Sequence, residues 1–181
     1  MRRAPILVCL LAVAASAAAQ SPRAPEYEVK AAFLYNFAKF VDWPAQAFPG
    51  SSAPLRICVL GDDPFGEKLS RIVQDKSISG RRVVSSALQA PAETRLCHVL
   101  FISRSDSGTL KRELASLRDL PVLTVSESDD FLPLGGMINF VLEQDRVRFE
   151  INLGAAERHG LKLSSKLLAV ARVVNSGGGA N

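Results

Sequence analysis

Residues 55–66 read LRICVLGDDPFG, an apolar run that passes into a glycine turn and then into the start of a helix. An apolar run of this length, bounded by turn residues, is typical of a buried strand. The same order of strand, turn and helix recurs along the chain. We therefore predict an α/β fold with a mostly parallel sheet covered by helices.

The alternation continues towards the C-terminus. The predicted strands are residues 55–60, 82–85, 98–102 and 121–125, and the predicted helices are 65–74 and 108–117. Residues 137–142 and 146–151 then predict a C-terminal β-hairpin, since the second run alternates apolar and charged side chains. Residues 153–159 and 164–174 are predicted to be helical, with Ser164 as the N-cap of the second helix.

The N-terminal residues divide into an export signal and a helix. Met1-Arg2-Arg3 precedes an apolar run that ends in Ala17-Ala18-Ala19, the pattern of a signal peptide over residues 1–19. Residues 20–26 are a polar lead-in, and residues 27–41 show the apolar spacing of an amphipathic helix. We expect one domain over residues 27–174, followed by a disordered Gly-rich tail at 175–181.

Charge and hydropathy argue against two classes of protein. The formal net charge is +4, and removal of Arg2 and Arg3 with the signal peptide would leave +2. A nucleic-acid-binding protein needs a denser cationic face, so we expect no nucleic-acid partner. No later apolar segment approaches the length of a membrane span, so we expect the exported protein to be soluble.

Cys58 and Cys97 are the two cysteines that remain after signal cleavage. In an oxidising compartment such a pair favours a disulfide, and closing a loop of roughly 40 residues would add about 4 kcal/mol of stability in the chain-entropy model. The alternative is two separate buried thiols. The wide spacing and a total of two histidines predict no metal site.

The segment LGDDPFG at residues 60–66 is the strongest candidate for a phosphate site, because a strand leads through a glycine turn into a helix. Asp62 and Asp63 would repel a phosphate, and neither a GxGxxG motif nor a Walker lysine is present. We therefore interpret Asp63 and Pro64 as the N-cap and first residue of a helix, and we predict no cofactor.

The sequence contains no convincing set of catalytic residues. His98 lies within an apolar strand without an obvious orienting carboxylate, and no G-x-S-x-G motif accompanies the serines. We predict that the protein is not an enzyme.

Trp43, Pro44, Arg158 and His159 are the candidate residues for binding a partner or ligand. Trp43 and Pro44 follow a predicted helix, where the indole is either a core side chain or an exposed anchor. Arg158 and His159 precede Gly160 and are explained either as cations at a helix C-terminus or as a basic lip for an anionic ligand or partner.

Several stretches together resemble the YfiR family of periplasmic proteins. They are YEVKAAFLYNFAKFVDWP at residues 27–44, LGDDPFG at 60–66, GGMINF at 135–140, VRFEIN at 147–152 and GLKLSSKLL at 160–168. The resemblance implies a single Rossmann-like domain, often dimeric, and a non-enzymatic regulator. Family members bind the periplasmic domain of an inner-membrane diguanylate cyclase and inhibit it, which lowers cyclic di-GMP and biofilm formation.

The resemblance also implies a second partner and a disulfide. In the best-known system an outer-membrane lipoprotein sequesters the regulator, and the pair Cys58 and Cys97 resembles a disulfide of that system. A second cysteine pair known there has no counterpart in this sequence. A periplasmic sensor domain that binds a small molecule is the alternative function, since an α/β crevice can hold a ligand.

Overall fold

The computed structural model describes residues 23–103 and 107–174. The predicted signal peptide at 1–19 and the predicted tail at 175–181 lie outside the described residues, as do residues 20–22 of the predicted lead-in.

The described residues alternate between strands and helices, as the sequence predicts. The α-helices are α1 (Arg23–Lys39), α2 (Glu67–Val73), α3 (Ser107–Ser116), α4 (Leu153–Arg158) and α5 (Ser165–Leu168). The strands are β1 (Val41–Asp42), β2 (Leu55–Leu60), β3 (Ser77–Ile78), β4 (Arg81–Leu88), β5 (Val99–Ile102), β6 (Leu123–Ser126), β7 (Ile138–Glu143), β8 (Arg146–Asn152), β9 (Lys162–Leu163) and β10 (Arg172–Val174). Two short 3₁₀ helices span Ala45–Ala47 and Pro91–Leu96.

An eight-stranded sheet in the described part of the chain has the order β10-β8-β7-β6-β5-β2-β4-β3. Five adjacent strands of this sheet run parallel to one another, namely β4, β2, β5, β6 and β7. Strands β7 and β8 form an antiparallel hairpin. The predicted α/β class, the mostly parallel sheet and the hairpin are confirmed. The order of the parallel strands is one of the two common orders of doubly wound folds. The chain places β4 on one side of β2, its first parallel strand, and then β5, β6 and β7 on the other side.

The parallel strands begin at one edge of the sheet and end at the opposite edge. At the amino edge β2, β5 and β6 begin, and at the carboxyl edge the same strands end. Helix α1 crosses the sheet between them, because Tyr27 near its start contacts Phe65 beyond the end of β2, while β1 follows its other end.

Helices cover both faces of the sheet, so the parallel strands are apolar on both sides. On one face α1 buries Ala31, Leu34, Phe37 and Ala38, all 0% exposed, and the ring of Phe37 lies 4.9 Å from that of Phe149. The opposite face packs against α3 and contains the disulfide. Its core residues are Cys58, Leu60, Leu88, Cys97, Leu100, Ile102, Leu110, Leu117, Val122, Phe131 and Leu132.

Helix α1 differs from its predicted bounds at both ends. It begins at Arg23, before the predicted start at Tyr27, because Pro25 in the first turn removes no intrahelical hydrogen bond. It ends at Lys39 rather than Val41, because Val41 and Asp42 pair with Leu163 and Lys162 as strand β1.

The prediction of a helix over residues 164–174 is wrong beyond its first turn. Ser164 is the N-cap, as predicted, and accepts a hydrogen bond from the Leu167 N–H at 3.3 Å. Helix α5 stops at Leu168, and residues 172–174 then form β10 against residues 150–152 of β8. The free edge of β8 offers backbone hydrogen bonds to this valine-rich segment, and valine favours a strand over a helix.

Candidate functional site

A two-stranded ribbon brings the predicted binding residues together at the amino edge. Strand β1 pairs antiparallel with β9, and the Ser164 N–H donates to the Phe40 carbonyl at 2.9 Å. Just beyond the ribbon, a Cβ placed on Gly160 would lie 4.0 Å from Pro44 Cγ. The segment with Trp43 and Pro44 therefore lies beside the segment with Arg158 and His159.

Trp43 belongs to a cluster of rings at the start of β5. Its indole is half-buried and makes an edge contact with the imidazole of His98, with ring centroids 6.0 Å apart. Phe48 stacks on the other side of that imidazole at 4.3 Å, and the guanidinium of Arg81 lies 3.9 Å from the Phe48 ring centroid. We call Trp43, Phe48, Arg81 and His98 the aromatic cluster.

His98 is a buried packing residue within this cluster. Its side chain is 4% exposed, and Nδ1 accepts a hydrogen bond from the Arg56 N–H at 3.1 Å. Burial lowers the pKa of His98 from 6.5 to about 4, the Ala47 carbonyl opposes this shift, and the charges of Arg81 and Arg56 add to it. The imidazole is therefore neutral at pH 7.

Two nitrogen atoms of the aromatic cluster have unused hydrogen-bonding capacity. Trp43 Nε1 and His98 Nε2 are both buried; the indole N–H has no hydrogen-bond partner among the described residues, and the imidazole N–H has only the Ala47 carbonyl nearby. Buried donors without a partner are uncommon in folded proteins.

Arg158 and His159 close helix α4 as the sequence predicts for a helix C-terminus. Gly160 has φ +71°, its N–H donates to the Glu157 carbonyl at 2.9 Å, and the Leu161 N–H donates to the Ala156 carbonyl at 3.1 Å. These two bonds form a Schellman motif. The Nδ1–H of His159 donates to the Leu120 carbonyl at 2.8 Å, which ties the end of α4 to the segment before β6.

Arg158 and His159 also line a cleft between α3 and α4 of about 440 Å³. Its other basic side chains are Lys111 on α3 and Arg118, two residues beyond the end of α3, and Asp119 contributes one carboxylate. We call Lys111, Arg118, Arg158 and His159 the basic cleft. Sequence reasoning missed Lys111 and Arg118, because Arg118 lies beyond both the predicted helix and α3, and its place in the cleft depends on the fold.

The carboxyl edge is built differently, because its charged side chains contact one another. Lys30 is 3% exposed and forms ion pairs with Glu26 and Glu127, while the Tyr27 hydroxyl donates to Glu127 Oε1 at 2.8 Å. We call these four residues the ionic cluster. It joins the first turns of α1 to the segment that follows β6.

The segment at residues 60–66 also reaches the carboxyl edge. Asp63 Oδ1 accepts hydrogen bonds from the Phe65 N–H at 2.8 Å and the Gly66 N–H at 3.3 Å. Asp63 therefore caps the turn that precedes α2, and the helix itself starts later than predicted, at Glu67. The carboxylate occupies the N–H groups that a phosphate would need.

Residues 23–103 and 107–174 contain no group of three or more His, Cys, Asp or Glu side chains that could hold a metal ion. In the same part of the chain no helix combines the length and apolar character needed to cross a membrane.

Cys58 and Cys97 form a disulfide, with their Cα atoms 5.9 Å apart. The bridge links the middle of β2 to the residue directly before His98. It therefore fixes the segment that carries His98 of the aromatic cluster to β2.

The arrangement of these elements agrees with a comparison against known families. The YfiR/HmsC-like family model matches residues 27–172, a span that contains both cysteines and every predicted binding residue. The chain belongs to the YfiR/HmsC-like family. Proteins of this family are generally regulatory rather than catalytic, and the family together with the disulfide is consistent with a periplasmic location.

Proposed function

We propose that this YfiR/HmsC-like protein is a non-enzymatic periplasmic regulator that binds the periplasmic domain of an inner-membrane diguanylate cyclase and inhibits it. Inhibition lowers cyclic di-GMP and biofilm formation. The family match over residues 27–172 carries the proposal. A regulator of this kind needs only a surface that binds one conformation of its partner more tightly than another.

The surface we assign to the cyclase comprises Trp43, Pro44, Arg158 and His159 at the amino edge. It combines a half-buried indole with an exposed guanidinium, and both side-chain types are enriched among residues that dominate binding energy. The ribbon of β1 and β9 holds the two halves of this surface in register. Because the indole packs on His98, it would bind without losing much side-chain entropy.

Two further features of the proposed system follow from the same membership. An outer-membrane lipoprotein would compete with the cyclase for the regulator by mass action, and the regulator would act as a homodimer. In this proposal the signal peptide at residues 1–19 directs export, and the disulfide forms in the oxidising periplasm.

The test is the cyclic di-GMP level of cells in which this gene is deleted and then restored, with the candidate membrane cyclase present or absent. We expect a rise on deletion that restoration reverses and that requires the cyclase. Restoration with Arg158→Glu should leave cyclic di-GMP high, whereas the exposed control Arg71→Glu on α2 should repress like the wild type. No change on deletion, with every membrane cyclase present, would refute the proposal.

The basic cleft supports a second candidate, a sensor of a small anionic ligand. Three basic side chains and His159 surround about 440 Å³, enough for a small molecule. Inorganic phosphate and citrate serve as probes, and a saturable rise in the melting temperature that Lys111→Gln/Arg118→Gln abolishes would favour the sensor. A melting temperature independent of both probes would count against it.

A further inference from the structure

The hairpin of β7 and β8 leaves part of an outer strand without a neighbour. Strand β10 pairs with residues 150–152 of β8 and no further, so no strand lies opposite residues 146–149 among the described residues. Such an open stretch of backbone is a template for another strand.

The register shows which backbone groups this edge offers. The Asn152 N–H donates to the Met137 carbonyl at 2.8 Å, so residues 146, 148, 150 and 152 of β8 bond towards β7. Because hydrogen bonding alternates along an antiparallel pair, Val147 and Phe149 direct their backbone groups outwards. The N–H and C=O of Val147 and the N–H of Phe149 can therefore bond an incoming strand.

Charge on one face of the edge selects the chemistry of the incoming strand. Arg146 and Arg148 are exposed and have no ion-pair partner among the described residues. Both hairpin carboxylates on their face, Glu143 and Glu150, are bound by Arg172 instead. Acidic side chains at alternate positions of an added strand would pair with the two free guanidinium groups.

The other face of the same edge is mostly apolar, although Glu26 and Asp145 also line it. A groove of about 590 Å³ lies between α1 and the hairpin, and its lining includes Val29, Phe33, Leu142 and Val147. Val29 is 45% exposed and Leu142 is 56% exposed. Since successive side chains of a strand point to opposite faces, the residues between the acidic ones would enter this groove.

A second copy of this chain does not fit the edge. If two copies paired antiparallel with Val147 opposite Val147, Arg146 of one copy would lie opposite Arg148 of the other. If Val147 lay opposite Phe149 instead, Arg148 would lie opposite Arg148 of the other copy. Like charges directly opposite each other destabilise a sheet. The N- and C-terminal residues outside the structure, 1–22 and 175–181, contain no Asp or Glu and do not supply the required charge either.

We propose that the outer edge of β8 at residues 146–149 is a docking site for an extended segment of a partner protein in which acidic and apolar side chains alternate. The segment adds as a strand beside β8 and runs up to Arg172, where β10 begins. A cleft of about 380 Å³ lies between Arg148, Phe149 and Glu150 on one side and residues 169–172 on the other, and the segment enters the sheet edge through it. This site is separate from the amino-edge surface assigned to the cyclase and does not depend on it.

The test is direct binding of a labelled peptide, acetyl-Thr-Val-Glu-Val-Glu-Val-Thr-amide, to the purified domain by fluorescence anisotropy. We expect saturable binding that weakens about tenfold in Arg146→Glu/Arg148→Glu, because the charge pairs become repulsive. The matched control, Arg71→Glu/Arg112→Glu on α2 and α3, changes the net charge equally and should alter affinity less than about twofold. A peptide with Lys in place of Glu should bind the Arg146→Glu/Arg148→Glu variant better than the wild type.

Two peptides with N-methyl groups on alternate residues, in the two possible phases, test the backbone ladder. Strand addition requires one phase to abolish binding and the other to retain it, since only every second N–H faces β8. Equal binding of both phases, no binding of the acidic peptide, or binding unchanged by Arg146→Glu/Arg148→Glu would overturn the proposal. A wild-type dimer that the peptide dissociates would overturn it too, because a second copy would then occupy the edge.

Discussion

At the carboxyl edge of the sheet Lys30 binds Glu26 and Glu127, whereas at the amino edge Lys111, Arg118 and Arg158 face solvent. Lys30 is 3% exposed between Glu26 and Glu127, and Asp63 caps its own turn. At the opposite edge Arg158 is exposed, and Trp43 Nε1 is buried without a hydrogen-bond partner among the described residues.

This difference reverses the usual use of a doubly wound sheet. Ligands of such folds commonly bind outside the carboxyl ends of the strands. Here internal ion pairs and a capping carboxylate occupy that edge, while aromatic and basic side chains remain available at the other. We propose that the ionic cluster at the carboxyl edge serves stability and that Trp43, Pro44, Arg158 and His159 at the amino edge serve recognition.

The largest effect should come from breaking the ionic cluster. Lys30→Ala removes a buried cation from two carboxylates that are only 17% and 13% exposed, so we expect the free energy of unfolding to fall by about 3–5 kcal/mol. Urea denaturation measures this change. Glu26→Gln/Lys30→Met/Glu127→Gln should recover most of the loss and should still lower cyclic di-GMP, since the amino edge is intact.

Removal of the disulfide should weaken the attachment of the amino edge. The bridge closes a loop between positions separated by 39 residues, and in the chain-entropy model Cys58→Ala/Cys97→Ala should cost about 4 kcal/mol. Urea denaturation with and without dithiothreitol checks this value. The reductant should destabilise the wild type and leave the variant unchanged; equal sensitivity would contradict the assignment.

Mild acid should destabilise the amino edge through His98. The folded pKa of His98, about 4, is below the unfolded value of 6.5, so the unfolded state binds more protons in that window. Stability is complete above pH 6.5 and falls as the pH drops towards 4, by at most about 1.4 kcal/mol per pH unit from this group.

The comparison variant for this effect is His98→Asn, which keeps an acceptor for the Arg56 N–H and cannot titrate in the window. Urea denaturation at several pH values from 7 to 4 should show a shallower loss of stability in His98→Asn than in the wild type. Parallel pH profiles for the two proteins would show that His98 is not the titrating group.

A smaller loss should follow from Gly160→Ala. At φ +71° an alanine is strained, while its Cβ would meet Pro44 Cγ no closer than 4.0 Å, so the cost is conformational and about 1 kcal/mol. Thermal denaturation measures it. Gly160→Asn, which tolerates this backbone conformation better, should lose less; equal losses would point to a steric cause.

The smallest change should be a gain beyond the carboxyl edge, at the hairpin turn. Gln144 and Asp145 have φ of 50° and 59°, the conformation of a type I′ turn. Gln144→Asn/Asp145→Gly should therefore raise the free energy of unfolding by about 0.5 kcal/mol. Urea denaturation should show this gain, and the variant should repress cyclic di-GMP like the wild type. A loss of stability would contradict the turn assignment.

Local sequence patterns were enough to predict the main elements of the fold. The apolar part of the run LRICVLGDDPFG and the alternation around Phe149 each predict a strand. Each pattern arises from the burial of residues that are neighbours in the sequence, so it can be recognised without knowing the fold. Residues 172–174 were predicted wrongly because their strand exists only through the edge of β8. The ribbon of β1 and β9 could not be foreseen, since two-residue strands have no period of their own.

The candidate site could be predicted by residue type but not by arrangement. Trp43 and Arg158 stand out in the sequence, yet the approach of Pro44 to Gly160 depends on the pairing of Val41 with Leu163. The packing of His98 against Phe48 likewise joins distant segments. Lys30 shows the same limit, because nothing near it in sequence identifies Glu127 as its partner.

The ribbon of β1 and β9 also has a consequence for folding kinetics during export. Its two strands come from opposite ends of the domain, so the contact has a high sequence separation and forms late. A chain still emerging from the translocation channel has its N-terminal strand β1 without its partner β9. The proposed cyclase-binding surface therefore assembles only on a fully translocated polypeptide, and truncated or stalled chains would not compete for the cyclase.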